Sequence, residues 1–77
     1  MNLKIKYFGL LAEITECSEE TLAFSKTSVS DLLEVLFEKY PDLKEKDFQV
    51  AQNLEIVSKE AILSNTEIAL LPPFSGG

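Results

Sequence analysis

Histidine, arginine and tryptophan are absent from these 77 residues, and cysteine occurs once. Without histidine the chain has no commonest-choice general base, and one cysteine beside no histidine leaves no credible transition-metal cluster. All seven bases are lysines, set against thirteen acids, and a net charge of −6 gives nucleic acid no electrostatic footprint to bind. Only three glycines occur, and Gly9 stands alone, so there is no glycine-rich phosphate loop. No apolar run approaches the ~20 residues of a membrane span, and no basic segment with an apolar stretch behind it marks a secretory signal. Cys17 has no internal partner, so the fold must rest on its core alone, as a reducing compartment requires. These absences lead us to expect a soluble, cytoplasmic protein that is poorly equipped as a self-contained enzyme. Its acidity suits a basic protein partner, through steering more than through tight contacts.

What is present describes one small α+β domain spanning 1–77, since this length leaves no room for a second core. The stretch Asn2 to Phe8 alternates, with Leu3, Ile5 and Tyr7 on one face and Lys4, Lys6 and Phe8 on the other. That is the period of a half-buried strand. Phe8 is its anomaly, an aromatic on the lysine face. Gly9 breaks the strand, Leu10 to Ile14 fits a helical turn, and Thr21 to Phe24 reads as a second strand. Val29, Leu32, Leu33, Leu36, Phe37 and Tyr40 then form one apolar helical stripe, with Ser28 and Asp31 as a capping box and Pro41 as the stop. The charged stretch Asp42 to Asp47 reads as a connection. Beyond it Phe48 to Gln52, Glu55 to Val57 and Thr66 to Leu71 read as strands, with Asn53 suited to a left-handed turn. In the last strand Ile68 and Leu70 point inward, and Ala69 and Leu71 outward.

The segment from Leu70 to Gly77 reads Leu-Leu-Pro-Pro-Phe-Ser-Gly-Gly. Pro72 and Pro73 fix φ and donate nothing to a ladder, so the strand must stop there and the chain leave stiffly. Residues 72–77 are therefore expected to form an extended tail. Its last four residues reach roughly 13 Å when extended. Gly76 and Gly77 have no packing value, but they let a main chain thread a narrow channel and present a terminal carboxylate to another protein's active site.

Strands arranged around one helix indicate a mixed sheet with the helix on one face, and the ubiquitin-like β-grasp is the simplest such fold at this length. In that fold the first and last strands are parallel neighbours at the sheet centre. Phe8 and Leu71 would then meet on the face away from the helix and, with Phe74, form an apolar patch beside the tail, more than single exposed apolar residues require.

The chain closely resembles the sulfur-carrier (small) subunit of molybdopterin synthase, the MoaD family, from end to end. The resemblance is carried by Ile5-Lys6-Tyr7-Phe8, Leu11-Ala12-Glu13, the helix end Glu38-Lys39-Tyr40-Pro41, the Asn53 hairpin and, above all, Glu67 to Gly77. It departs from the family pattern at Ser64-Asn65-Thr66, where an Asp-Gly-Asp type of turn is usual, and at Glu16, where glycine is common. The resemblance implies a non-catalytic subunit of a heterotetrameric sulfurtransferase. A ubiquitin-activator-like adenylyltransferase would use ATP to adenylate Gly77, and a sulfur donor protein would convert it to a thiocarboxylate. The large catalytic subunit would then receive the tail through Phe74, Ser75 and Gly76, and the sulfur would pass to a cyclic pyranopterin precursor during molybdenum cofactor biosynthesis. Gly77 is the reacting residue, and Phe8, Leu71, Pro72, Pro73 and Phe74 are the expected partner interface. No cofactor, metal, nucleic acid or membrane is expected to bind the chain itself. A thiamine-pathway sulfur carrier, a ubiquitin-like protein modifier and a plain interaction module are the alternatives.

Overall fold

The computed structural model describes residues 2–25, 27–53, 55–63 and 67–73. Five strands form one sheet in the order β2-β1-β5-β3-β4. They are β1 (Asn2–Tyr7), β2 (Glu19–Ala23), β3 (Gln49–Gln52), β4 (Glu55–Val57) and β5 (Glu67–Leu71). The first and last strands run parallel, pairing Ile5 with Ile68 and Tyr7 with Leu70, so β5 takes the centre. All other pairings are antiparallel. This mixed sheet carrying a helix is the β-grasp expected from the residues.

The helix α2 (Val29–Lys39) covers one face of the sheet, and α1 (Leu10–Thr15) follows β1 directly. The stripe Val29, Leu32, Leu33 and Leu36 is buried against Leu3, Ile5, Tyr7, Ile68 and Leu70. Phe37 and Tyr40, its last two members, are only partly buried. The helix start is well satisfied. The Ser28 hydroxyl accepts from the Asp31 backbone N–H at 3.1 Å and donates to the Asp31 carboxylate at 2.8 Å. A full capping box returns to the backbone N–H of the cap residue, and the shorter Asp31 reaches the hydroxyl instead. The next orphan donors, Val29 N and Ser30 N, are taken by the carbonyls of Ala61 and Lys59. The segment before Leu63 thus straps the helix to β3, where the Gln52 side chain donates to the Ile62 carbonyl at 2.9 Å.

Three local expectations shift. The second strand begins at Glu19, not Thr21, because Tyr7 N reaches Ser18 O and brings the earlier residues into the ladder. Phe8 lies just past the end of β1, although its N–H still donates to Leu70 O at 3.2 Å. Asp42 to Asp47 is more than a connection. Pro41 opens a 3-10 helix to Glu45, and Leu43 on it is fully buried. A proline at the first helical position is preset for that turn, and one leucine among five polar residues is a weak periodic signal. Asn53, the suspected left-handed position, is so at φ 54, and Glu16, which stands where the family commonly has glycine, is also left-handed at φ 62.

Candidate functional site: the exit of the last strand

The place where β5 gives way to the tail is shaped by three residues of the β1–α1 corner. Phe8 ends the pairing to β5, Gly9 turns the chain, and Leu10 starts α1. Gly9 sits at φ 59, ψ −135, backbone that L side chains rarely adopt. A Cβ placed there would lie 2.9 Å from Pro72 Cγ. The proline that ends β5 therefore packs directly onto the glycine that ends β1. A rigid ring set against bare backbone gives the departing chain a defined starting direction.

Phe8 and Leu71 lie side by side on the sheet face opposite α2, as the register of Tyr7 with Leu70 requires. They line a groove of about 290 Å³ with Ala51, Ile56 and Ala69, and Asn53 and Glu67 complete its lining. Ala69 is directly opposite Ala51, which is opposite Ile56, so short side chains lie between the larger ones. Phe8 is 44% and Ile56 55% exposed. The β1–β2 side of this face carries charges, with Lys4 3.5 Å from Glu19 and Lys6 3.5 Å from Glu67. Those exposed pairs add little stability, but they make a polar border to the apolar half.

On the inner face the same end of the sheet is closed by a polar knot. Glu20 Oε2 accepts from Tyr7 Oη and Tyr40 Oη, each at 2.6 Å, and its other oxygen accepts from Lys39 Nζ. The Tyr7 and Tyr40 rings meet edge to face at 6.1 Å. Desolvation pushes the Glu20 carboxyl up, but the hydrogen bonds from Lys39, Tyr40 and Tyr7 outweigh it and hold the group below the usual carboxylate range. Burial, then the bond to Glu20, pushes both tyrosine hydroxyls well above their ordinary range. Every partner is used within the fold, so the knot is structural. Among the described residues no buried side-chain polar atom lacks a partner, and no helix is long and apolar enough to cross a membrane.

Of the expected site residues, Phe8, Leu71, Pro72 and Pro73 are brought together. Phe74, Ser75, Gly76 and Gly77 lie outside the described residues. Ala51, Ile56 and Leu10 join the site without having been foreseen. Ile56 adjoins Val57, so its outward direction shows only once the register of β4 is known.

A family model described as the ThiS family matches residues 5–77. The chain belongs to the ThiS family. Two molybdopterin synthase sulfur carrier subunits, from Caenorhabditis briggsae and Chlamydomonas reinhardtii, are each 32% identical to it over 83 aligned positions. The alignments cover 100% of this chain and 99% and 100% of those proteins, respectively. This member of the ThiS family also superimposes on a putative molybdopterin converting factor, subunit 1, from Pyrococcus furiosus, with a TM-score of 0.86 and 23% identity. That match covers 96% of this chain and 99% of the other, and it shows the shared fold. The small archaeal modifier protein 1 of Methanosarcina acetivorans matches at a TM-score of 0.77 and 29% identity, covering 99% of this chain and 96% of that one. The resemblance drawn from the first strand and the tail holds at the level of the family.

Proposed function

We propose that this ThiS-family chain is the sulfur-carrier subunit of a molybdopterin synthase, with the Gly77 carboxylate as its reacting group. The supporting observation is the site at the end of β5: an apolar groove beside a proline exit seated on Gly9, from which the sequence runs on to Gly-Gly. The curated relatives carry the same role in their names.

A bare carboxylate is a poor electrophile. An adenylyltransferase joins it to the α-phosphate of ATP with loss of pyrophosphate, which supplies AMP as leaving group. A sulfur donor displaces AMP and leaves the thiocarboxylate. In the large subunit the thiocarboxylate sulfur attacks a side-chain carbon of the pyranopterin precursor, an oxygen group leaves that carbon, and water hydrolyses the resulting thioester, leaving the sulfur on the precursor and freeing the Gly77 carboxylate for another round. Two rounds supply both sulfurs of the dithiolene. This chain binds its partners and presents the group, while the cationic side chains for an acidic precursor come from the large subunit. ATP belongs to the activating enzyme, and we place the cycle in the cytoplasm.

Phe8, Leu71, Pro72, Pro73 and Phe74 form the docking surface, and Ser75 and Gly76 thread the channel. Ile56 and Ala51 extend that surface across the sheet. Intact-mass measurement on protein recovered from its native host tests the reading. A subpopulation heavier by one oxygen-to-sulfur replacement at the C-terminus is expected, and none should form when a residue is appended after Gly77. A carboxylate-only population under active molybdopterin synthesis would refute it. The likeness to archaeal modifier proteins favours a second use of the same activated end, conjugation to lysines. The same recovered material would then contain isopeptide-linked species ending in Gly77.

A further inference from the structure

Both prolines after β5 belong to one groove. Pro72 and Pro73 line a space of about 260 Å³ with Leu10, Leu11, Lys46 and Asp47, whereas neither proline lines the groove beside Phe8. Leu11 is a core residue, but Leu10 is 53% exposed, a large apolar side chain at the start of a six-residue helix. The lining is mostly apolar, and its two charged residues are of opposite sign, so the groove suits a neutral apolar group. An apolar space of about 150 Å³ is enough to take a benzene ring, and this groove is larger. The residue that follows Pro73 is Phe74, which lies outside the described residues.

We propose that the Phe74 ring of the same chain occupies this groove before any partner binds, so that only Ser75, Gly76 and Gly77 extend from the fold. Reach, direction and chemistry select this occupant. A trans peptide puts the Phe74 Cα about 3.8 Å from that of Pro73, so the ring starts beside the groove. Closing so short a tether costs little chain entropy. The prolines supply the direction. A residue before a proline is confined to extended backbone, so Leu71 and Pro72 do not fold the chain back over β5 toward the Phe8 groove. Left in water, the ring would instead enlarge the exposed apolar surface that Leu10 already presents. The inference rests on the carrier reading for its use. Three extended residues reach roughly 10 Å, which presents the Gly77 carboxylate while the ring stays seated. A partner that draws the tail further in must first lift Phe74 off Leu10. The groove is thus a resting seat for the aromatic, vacated as the ring passes to the partner.

Methyl NMR on the full chain, with isotope-labelled leucine methyl groups, is the test. We expect nuclear Overhauser contacts from the Phe74 ring to the Leu10 and Leu11 methyls. The ring-current shifts of the Leu10 methyls should be lost alike in Phe74→Ala and in a chain ending at Pro73, while the amide shifts of β1 and β5 report an intact sheet. Adding the large subunit should remove the Phe74–Leu10 contacts. Leu10 methyls that do not move in Phe74→Ala overturn the proposal. Ring contacts to the Leu71 methyls in place of Leu10 put Phe74 in the other groove and overturn it too. So do contacts found only between labelled and unlabelled chains in a mixture, which would assign the groove to the ring of a second copy. Contacts that persist in the complex with the large subunit refute the vacating of the seat. None of these results touches the carrier reading, which intact mass at Gly77 decides separately. A missing thiocarboxylate with the Phe74–Leu10 contacts present would sink that reading and leave the seat standing.

Discussion

Tyr7 and Phe8 are consecutive residues with opposite surroundings. Tyr7 turns toward α2, is almost fully buried, and gives its hydroxyl to Glu20, which also holds Tyr40 and Lys39. Phe8 turns to the other face, remains 44% exposed, and borders a groove left open among the described residues. Both are aromatic, and both lie at the end of β1 nearest the tail. The difference is that the inner cluster is complete and the outer one is not. Where the fold satisfies a group entirely, a substitution should be read in stability. Where the fold leaves an apolar surface open beside a proline exit, it should be read in binding.

The largest effect belongs to neither cluster. Deleting Gly77, or appending one residue after it, should abolish thiocarboxylate formation, as read by intact mass after incubation with the activating enzyme, ATP and sulfur donor. The melting curve should be unchanged, since Gly77 has no side chain to pack. Loading of an intact appended chain would show that the terminal carboxylate is not the reacting group.

Glu20→Ala tests the closed side. It leaves Tyr7 Oη, Tyr40 Oη and Lys39 Nζ without their shared acceptor. Stranding partly buried hydroxyls should cost about 2–3 kcal/mol of folding stability. Affinity of the folded variant for the large subunit should be unaltered, and a urea melt beside a binding titration reads both. Weakened binding with normal stability would reverse the assignment of the two clusters.

Phe8→Ala tests the open side. Truncating an aromatic anchor commonly costs 2 kcal/mol or more, roughly thirtyfold in affinity. Stability should stay within about 1 kcal/mol, because an outward residue leaves no core cavity. Severe unfolding with normal affinity in the remainder would make Phe8 a core residue.

The open side was the more legible of the two in the sequence. Phe8 breaks a lysine alternation, Pro72-Pro73 ends a strand, and Gly-Gly has no packing use, so each departs from a local rule. The helix was equally plain, because six apolar residues at helical spacing leave one solution. The inner knot was hidden for the converse reason. Glu20 is one of several acids around β2, and Tyr7 fits the apolar alternation of β1. Only the register of Ile5 with Glu20 shows that this carboxylate faces the helix. Ile56 and Ala51 were missed on the same ground, since cross-strand neighbours are set by register and not by spacing along the chain. Leu10 was read as part of a helical turn, and its exposure shows only in the fold.

A smaller effect is expected in the tail itself. Gly76→Val adds a β-branched side chain and restricts φ, so it should slow transfer about tenfold, equivalent to about 1.4 kcal/mol of barrier. Single-turnover transfer to the precursor measures this, with the melt as control. Normal turnover would mean that the receiving channel is wide.

The smallest effect, and the one that separates the two clusters without touching either aromatic ring, is the pH dependence of stability. Glu20 is held below its ordinary value of 4.5 in the folded state. The unfolded chain therefore takes up the proton first as pH falls, and stability at this site is full above that value and lost progressively below it. Tyr7 and Tyr40 are shifted upward from 10.0, so the unfolded chain loses those protons first as pH rises. Their contribution is full below that value and lost above it. Urea midpoints should thus fall on both the acid and the alkaline side. Other carboxylates also titrate in acid, so the informative quantity is the difference between the parent and Glu20→Gln. The acid limb should flatten in the variant. The alkaline limb should persist in part, because burial is the larger cause of the tyrosine shifts and remains when the carboxylate is gone. Phe8→Ala, which removes no titrating group, should run parallel to the parent across the whole range. An acid limb of unchanged slope in Glu20→Gln would mean that this carboxylate is not held by the fold, and the division between a closed inner cluster and an open outer one would fail at its inner half.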